Sequence, residues 1–431
     1  MNGPNLMVDK AQVENLVKEG KHFCVLPWVH FHAWPDSRVM PCCVADSNMP
    51  VAKIDGDQSI IEMMNSPRYN EIREAMLNDI EVPECKRCFD LELMGTWTMR
   101  QSHNKRKGEE YVDYITKNTN EDGSLSEFEM KYMDIRFSNL CNMKCRSCGP
   151  ACSSQWAQEF VEMHGEEHFQ HHFPGQKVIV NNNEDQQFML KLKPYLDDVT
   201  EVYFAGGEII ITPEHYECLD YWIESGHADE IELNYTTNFS TLHGYKSKDL
   251  IEYWKKFKNI QVWASLDAHG DLAECMRKGT DWDKTIKNMK KLKEELPHVQ
   301  FQITPTISIW NIFKFPDFFD YMIENGFIDI TTSPRFNLLT SPWYATIMIL
   351  PKHVKNRLIE LYRVDQNKYG KHNVDIYNGF TMIIYNLSVG DENKGGILEF
   401  KQFNDELDAQ RKEKFEDIVP EIKEVYEWAA S

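Results

Sequence analysis

Cys141, Cys145 and Cys148 stand in the run Ser138-Asn139-Leu140-Cys141-Asn142-Met143-Lys144-Cys145-Arg146-Ser147-Cys148-Gly149-Pro150, a CxxxCxxC spacing. Three thiolates so placed suit one corner of an iron–sulfur cube. Such clusters are ordinarily held by four cysteines, so a set of three points to an iron left open for another ligand. A structural zinc knuckle asks for a fourth Cys or His close by, and Cys152 is the local candidate for that place. A second set opens the chain: Cys24, then Cys42 and Cys43, then Cys85 and Cys88 as a CxxC. Four thiolates of this kind serve a zinc ion or a 4Fe–4S cluster equally well, and the residue types leave both open.

The elements that must position these groups are legible in outline. Pro35-Asp36-Ser37 reads as a tight turn between two short strands, a hairpin that brings Cys24 and Cys42 together. Helical stretches at 59–64 and 69–77 follow and must stop before Pro83. Residues 95–131 are polar and read as a helix and linker. A strand-like run, 132–137, then leads straight into CxxxCxxC. Further strands are expected to end near Phe204, Tyr235, Leu266, Thr306 and Ser333, with helices at 218–224, 248–257, 282–296 and 316–325 between them. Such alternation calls for a parallel sheet with crossover helices. Residues 351–431 read as a charged helical extension.

Composition bounds the function class. The chain has 431 residues, 42% hydrophobic and 12% aromatic, enough for a large unit and a smaller one. A formal charge of −21 argues against nucleic acid and anionic membrane as partners, since phosphate contacts need clustered Lys and Arg. No apolar run reaches the roughly 18 residues of a membrane span, and the residues from Met1 to Asn5 lack the basic and apolar regions of a secretory signal. A cytoplasmic setting follows as the expectation, where cysteine pairs bind metal more often than they form disulfides. His30, His32 and the histidines from His164 to His172 read as surface or core residues. Cys218 and Cys275 have no ligand spacing.

Taken in order, the motifs resemble the radical S-adenosylmethionine (radical SAM) enzymes. The CxxxCxxC run is followed by Gly206-Gly207-Glu208, by Thr237-Asn238 and by Ser265-Leu266-Asp267, each at the end of an expected strand. The resemblance implies that Cys141, Cys145 and Cys148 hold the catalytic 4Fe–4S cluster that cleaves SAM. It further implies that Gly206, Gly207, Glu208, Thr237, Asn238, Ser265 and Asp267 contact SAM, with Asn311 as the choice from the next strand. Ser147 departs from the aromatic residue that many family members carry before the third cysteine. The order Cys24, hairpin, Pro41-Cys42-Cys43, helix, Cys85-Lys86-Arg87-Cys88 is similar to the SPASM and twitch auxiliary-cluster domains, although these usually follow the barrel. That likeness implies an auxiliary 4Fe–4S cluster on Cys24, Cys42, Cys85 and Cys88, with Cys43 a neighbouring thiol.

The expected fold is thus α/β. It consists of a twitch-like α+β domain at 1–94, a linker at 95–131, a partial (β/α)6 barrel of TIM type at 132–350 and a helical cap at 351–431. The implied activity is abstraction of hydrogen by a 5′-deoxyadenosyl radical from a peptide or protein, with an electron donor such as flavodoxin or ferredoxin as partner. A carbohydrate or small metabolite is the alternative substrate. A zinc- and SAM-binding regulatory protein is the alternative of another class.

Overall fold

The computed structural model describes residues 8–93, 97–184, 186–332 and 334–431. The chain divides into two compact units, Met1–Asn139 with Ile179–Leu233, and Leu140–Val178 with Asn234–Ser431. Two features of the expectation fall outside the described residues: the boundary between 94 and 95, and the strand end at Ser333. The leading residues 1–7 do so as well. No helix among the described residues is long and apolar enough to cross a membrane.

In the first unit the expected hairpin forms. His30–Ala33 pairs antiparallel with Arg38–Met40, and Arg38–Met40 with Ala52–Lys53. The connecting turn closes through the Ser37 N–H, which donates to the Trp34 carbonyl at 3.0 Å, with Ser37 itself at φ 72°. The other edge of His30–Ala33 is not left open, as an exposed edge invites mispairing. It pairs in parallel with Tyr132–Ile135, register His30↔Tyr132 and His32↔Asp134, and Tyr132–Ile135 pairs in parallel with Glu201–Phe204. The hairpin followed by Cys42 and Cys43 therefore shares a sheet with the first strand assigned by sequence to the barrel. That pairing is why the first compact unit runs across the expected boundary at 131/132.

Local sequence explains the helices of this unit. Ser59 and Glu62 form a capping box on Ile60–Met64, and Ser66 caps Pro67–Leu77, whose proline sits where its missing N–H costs nothing. The expected linker contains a 20-residue helix, Met99–Asn118, opened by a Thr98/Gln101 capping box.

In the second unit Asn259–Ala264 and Gln300–Ile303 are parallel neighbours, register Ala264↔Ile303, joined through the helix Trp282–Glu295. This is the crossover that parallel pairing requires. Two short ladders that periodicity did not reveal complete the unit: Thr306–Ile307 parallel to Asn337–Leu338, and Lys144–Cys145 antiparallel to Arg277–Lys278. The C-terminal stretch is helical as expected, with Lys352–Tyr369, Val374–Val389, Lys394–Arg411 and Ile422–Ala430 its main elements. The architecture is mixed α/β with parallel pairing in both units.

Candidate metal centres

Cys24, Cys42, Cys85 and Cys88 line one small cavity in the first unit, together with Leu26, Val44, Ala45, Met99 and Arg100. Their positions come from unlike elements. Cys24 precedes the short helix Leu26–Val29, and Cys42 follows the strand Arg38–Met40. Cys85 ends the turn Pro83–Cys85, and Cys88 lies one turn further on in Lys86–Leu93. Cys43 is not among the lining residues; its thiol faces Met99 Sδ at 3.7 Å.

The helix Met99–Asn118 does more than link. Arg100 donates to the carbonyls of Gly20 (3.0 Å) and Phe23 (2.8 Å) and pairs with Glu92 through its Nε (2.9 Å). Asn104 donates to the Phe23 carbonyl at 2.9 Å and accepts from the Val25 N–H at 3.0 Å. The backbone on both sides of Cys24 is therefore fixed from a helix that begins beyond the last cysteine. Burial pushes the Cys42 thiol up to about 12 and raises Cys24 and Cys85 as well. Ligation at this site must displace those protons.

In the second unit Cys141 and Cys145 pack with Met143 in one buried cluster, with Cys148 against it. The loop is pinned at several points. The Cys141 N–H donates to Ser154 Oγ (3.2 Å), Ser153 Oγ to the Met143 carbonyl (2.6 Å), and the Cys148 N–H to the Cys145 carbonyl (3.1 Å). Gly279 has φ 110°, and a Cβ there would stand 2.8 Å from the Asn142 carbonyl oxygen. Only glycine lets that strand lie against the cysteine loop. Arg277, opposite Cys145 in the ladder, places Nη1 3.8 Å from Cys145 Sγ. Burial raises the Cys145 thiol, and Arg277 opposes that rise. Burial also raises Cys148, with the neighbouring thiols Cys152, Cys145 and Cys141 adding to it.

The residues expected to contact SAM divide between the units. In the first, Gly206 takes φ 139°, a region open to glycine. The Gly207 N–H donates to the Ser138 carbonyl at 3.2 Å, and buried Glu208 accepts from the Ile210 N–H at 3.3 Å. In the second, Asn238 donates to Asn142 Oδ1 (2.8 Å), inside the cysteine loop, while Thr237 Oγ1 accepts from the Phe239 N–H (3.0 Å). The Ser265 N–H donates to the Thr237 carbonyl at 2.8 Å. Asp267 has both oxygens engaged within the protein: Oδ2 accepts from Arg277 Nε at 2.7 Å and Oδ1 from the Thr306 N–H at 2.8 Å. Asn311 is fully buried, accepting from the Ser308 N–H (2.8 Å) and donating to the carbonyls of Asp267 and Thr306 (3.1 Å each). Asp267 and Asn311 are thus organisers of the loop around Arg277.

Sequence reasoning missed Arg100, Asn104, Arg277 and Gly279. A glycine or arginine outside a motif carries no signal until its neighbour is known. His30 and His32 are buried, each with its Nδ1 facing a backbone carbonyl, Pro41 at 3.2 Å and Asp134 at 2.8 Å. His164 to His172 lie on two short exposed helices.

Residues 24–89 match the family model of SPASM, described as an iron–sulfur cluster-binding domain. Four of the five cysteines in that segment, all but Cys43, are those that line the cavity. No protein of curated function matches the chain. Among solved structures, native anSMEcpe with bound AdoMet and Cp18Cys peptide is similar at 18% identity and TM-score 0.35, over 55% of this chain and 60% of that one. The histidine-tagged form of anSMEcpe with bound AdoMet is similar at 18% identity and TM-score 0.38, over 58% and 60%. TYW1 with a lysine-pyruvate adduct bound gives 13% identity and TM-score 0.27, over 54% and 70%. The match therefore spans about three fifths of the length of the anSMEcpe chains, and at these TM-scores the likeness carries no argument.

Proposed function

We propose that the chain is a radical SAM enzyme with two iron–sulfur clusters, one open on Cys141, Cys145 and Cys148 and one auxiliary on Cys24, Cys42, Cys85 and Cys88. The observation that carries the reading is the contrast in thiol number between two buried sites: four around one cavity, three in one apolar cluster. Both donor sets are all-thiol, a composition that suits an iron–sulfur cluster. The match of residues 24–89 to an iron–sulfur domain supports the same conclusion for the first site.

When bound, an open cluster and SAM together supply a 5′-deoxyadenosyl radical. The chain's own residues then have separable tasks. Cys141, Cys145 and Cys148 leave one iron position for SAM. Gly206, Gly207 and Glu208 offer backbone without a Cβ and a buried carboxylate, groups suited to an ammonium. Asn238 orients Asn142 within the cysteine loop, and Asp267 holds Arg277, whose guanidinium faces the Cys145 sulfur. Hydrogen bonds to cluster sulfurs tune reduction potential, so Arg277 favours the reduced cluster. Around these groups Met143, Met276 and Ile307 are buried, which keeps water from a reactive radical. A peptide or protein is the proposed substrate, and a cluster held by Cys24, Cys42, Cys85 and Cys88 would supply a site for the electron left after its oxidation.

Iron and sulfide per chain, with 5′-deoxyadenosine release, test this after anaerobic reconstitution. Two 4Fe–4S clusters require about eight irons per chain. Zinc in place of iron at both sites, with no nucleoside released from SAM, defeats the proposal.

A further inference from the structure

Arg146 stands inside CxxxCxxC, directly after Cys145, and is fully buried. Its Nε donates to the Cys275 carbonyl at 3.2 Å, Nη1 to Asn404 Oδ1 at 2.6 Å, and Nη2 to Glu413 Oε1 at 2.8 Å and to the Asp408 carboxylate. The guanidinium lies 5.7 Å from the centre of the Phe415 ring. Four of these five partners belong to the last helices of the chain or the turn after Lys394–Arg411. A second arginine reaches back from there. Arg411 Nη2 donates to the Lys144 carbonyl at 2.6 Å and to Glu159 Oε2 at 2.7 Å, and its Nε to Glu159 Oε1 at 3.1 Å. Lys278, in the ladder beside the cysteine loop, pairs with Glu413 at 2.7 Å. The residues on either side of Cys145 are thus both gripped by the C-terminal segment.

Buried ion pairs are poor devices for stability alone, because desolvation consumes most of their attraction. Two buried arginines exchanged between the same two segments instead specify one geometry. We infer that the C-terminal segment is a working part of the metal site: Arg146 and Arg411 are positioning residues that hold the Cys141–Cys148 loop in the shape its ligands need. The inference rests on the reading of those three cysteines as cluster ligands. An exclusively stabilising clamp would weaken the whole unit without singling out the cysteine loop.

The test uses the full chain, reconstituted anaerobically, with Arg146→Gln, Arg146→Lys and the double variant Asp408→Asn/Glu413→Gln. Iron per chain and the paramagnetic resonance spectrum of the reduced protein, with and without SAM, are the readouts. In Arg146→Gln and in the double variant the iron that depends on Cys141, Cys145 and Cys148 is expected to fall at least fourfold, while the iron on Cys24, Cys42, Cys85 and Cys88 stays. Arg146→Lys keeps the charge and should restore at least half of that iron, with an altered spectrum. Unchanged iron and spectrum in Arg146→Gln, or equal loss at both sites, overturns the inference. Alkylation rates of the metal-free protein give a second measure that needs no cluster. Arg146→Gln should speed labelling of Cys141, Cys145 and Cys148 at least tenfold relative to the N-terminal cysteines, and equal acceleration of both sets overturns the inference. If wild-type iron proves independent of Cys141, Cys145 and Cys148, the cluster reading fails, whereas the alkylation ratio still decides whether the C-terminal grip shapes the loop.

Discussion

The two cysteine sites bury similar chemistry by opposite routes. At the N-terminal site the four cysteines come from three separate stretches, and the folded hairpin, turn and helix bring them to one cavity. The external support is concentrated in one helix, through Arg100 and Asn104. At the second site the three cysteines lie within eight residues, so proximity is nearly given by the chain, and the support is spread widely. Ser153, Ser154, Asn238, Arg277, Gly279 and the C-terminal arginine grip all fix one short loop. A saturated four-thiol site needs its ligands gathered and then left alone. On the proposed reading, a site with an open position would also have to hold its loop in shape while a ligand enters and leaves.

The sharpest break in this comparison is removal of one ligand set. Cys141→Ala/Cys145→Ala/Cys148→Ala should lower iron from about eight to about four per chain and abolish 5′-deoxyadenosine release; unchanged iron would show that the three thiols hold no cluster. Next is the concentrated support of the first site. Arg100→Met removes the donor that the Gly20 and Phe23 carbonyls share beside Cys24, a change that costs about 1–3 kcal/mol, and should empty the N-terminal site while the other keeps its iron. Denaturant titration and site-resolved iron analysis check both parts.

The glycine contact separates the sites in the other direction. Gly279→Ala forces a side chain into φ 110° and against the Asn142 carbonyl, with an expected loss of about 1–3 kcal/mol and weaker iron retention on Cys141, Cys145 and Cys148. Retention equal to wild type would show that the loop tolerates the shift. The smallest effect concerns pH. Burial draws His30 down to about 3, so between pH 6.5 and 3 the unfolded chain binds a proton that the folded one does not. His30 thus contributes stability that is present above pH 6.5 and lost on acidification, by about 1.4 kcal/mol per unit and about 2 kcal/mol at pH 5. Denaturant midpoints at pH 7 and 5 should converge in His30→Phe; an unaltered gap would assign the acid sensitivity elsewhere.

Much of the fold was legible because its signals are local. The helix Trp282–Glu295 was expected at 282–296, and the turn at Pro35-Asp36-Ser37 follows from residues that favour it. Short ladders such as Lys144–Cys145 with Arg277–Lys278 were not legible, since two residues of strand have no periodicity to read. The resemblance implies that Asp267 and Asn311 contact SAM; the structure adds that Asp267 also accepts from Arg277 and Asn311 also bonds backbone, contacts that depend on which loops meet.

The sequence by itself determined which thiols lie close together along the chain. CxxxCxxC needs no fold to place three thiols within reach of one another, because a few residues of chain span only a few ångströms per step. The CxxC of Cys85 and Cys88 is fixed in the same way. Tertiary structure decided everything that depends on distant residues meeting. It separated Cys42, which lines the cavity, from Cys43, which faces Met99. It joined the N-terminal hairpin to the strand Tyr132–Ile135, and it set Arg146 among Asn404, Asp408 and Glu413. The physical reason is common to all three. Backbone edges and buried charges must find partners once water is excluded, and which partners they find is settled only when the chain has packed.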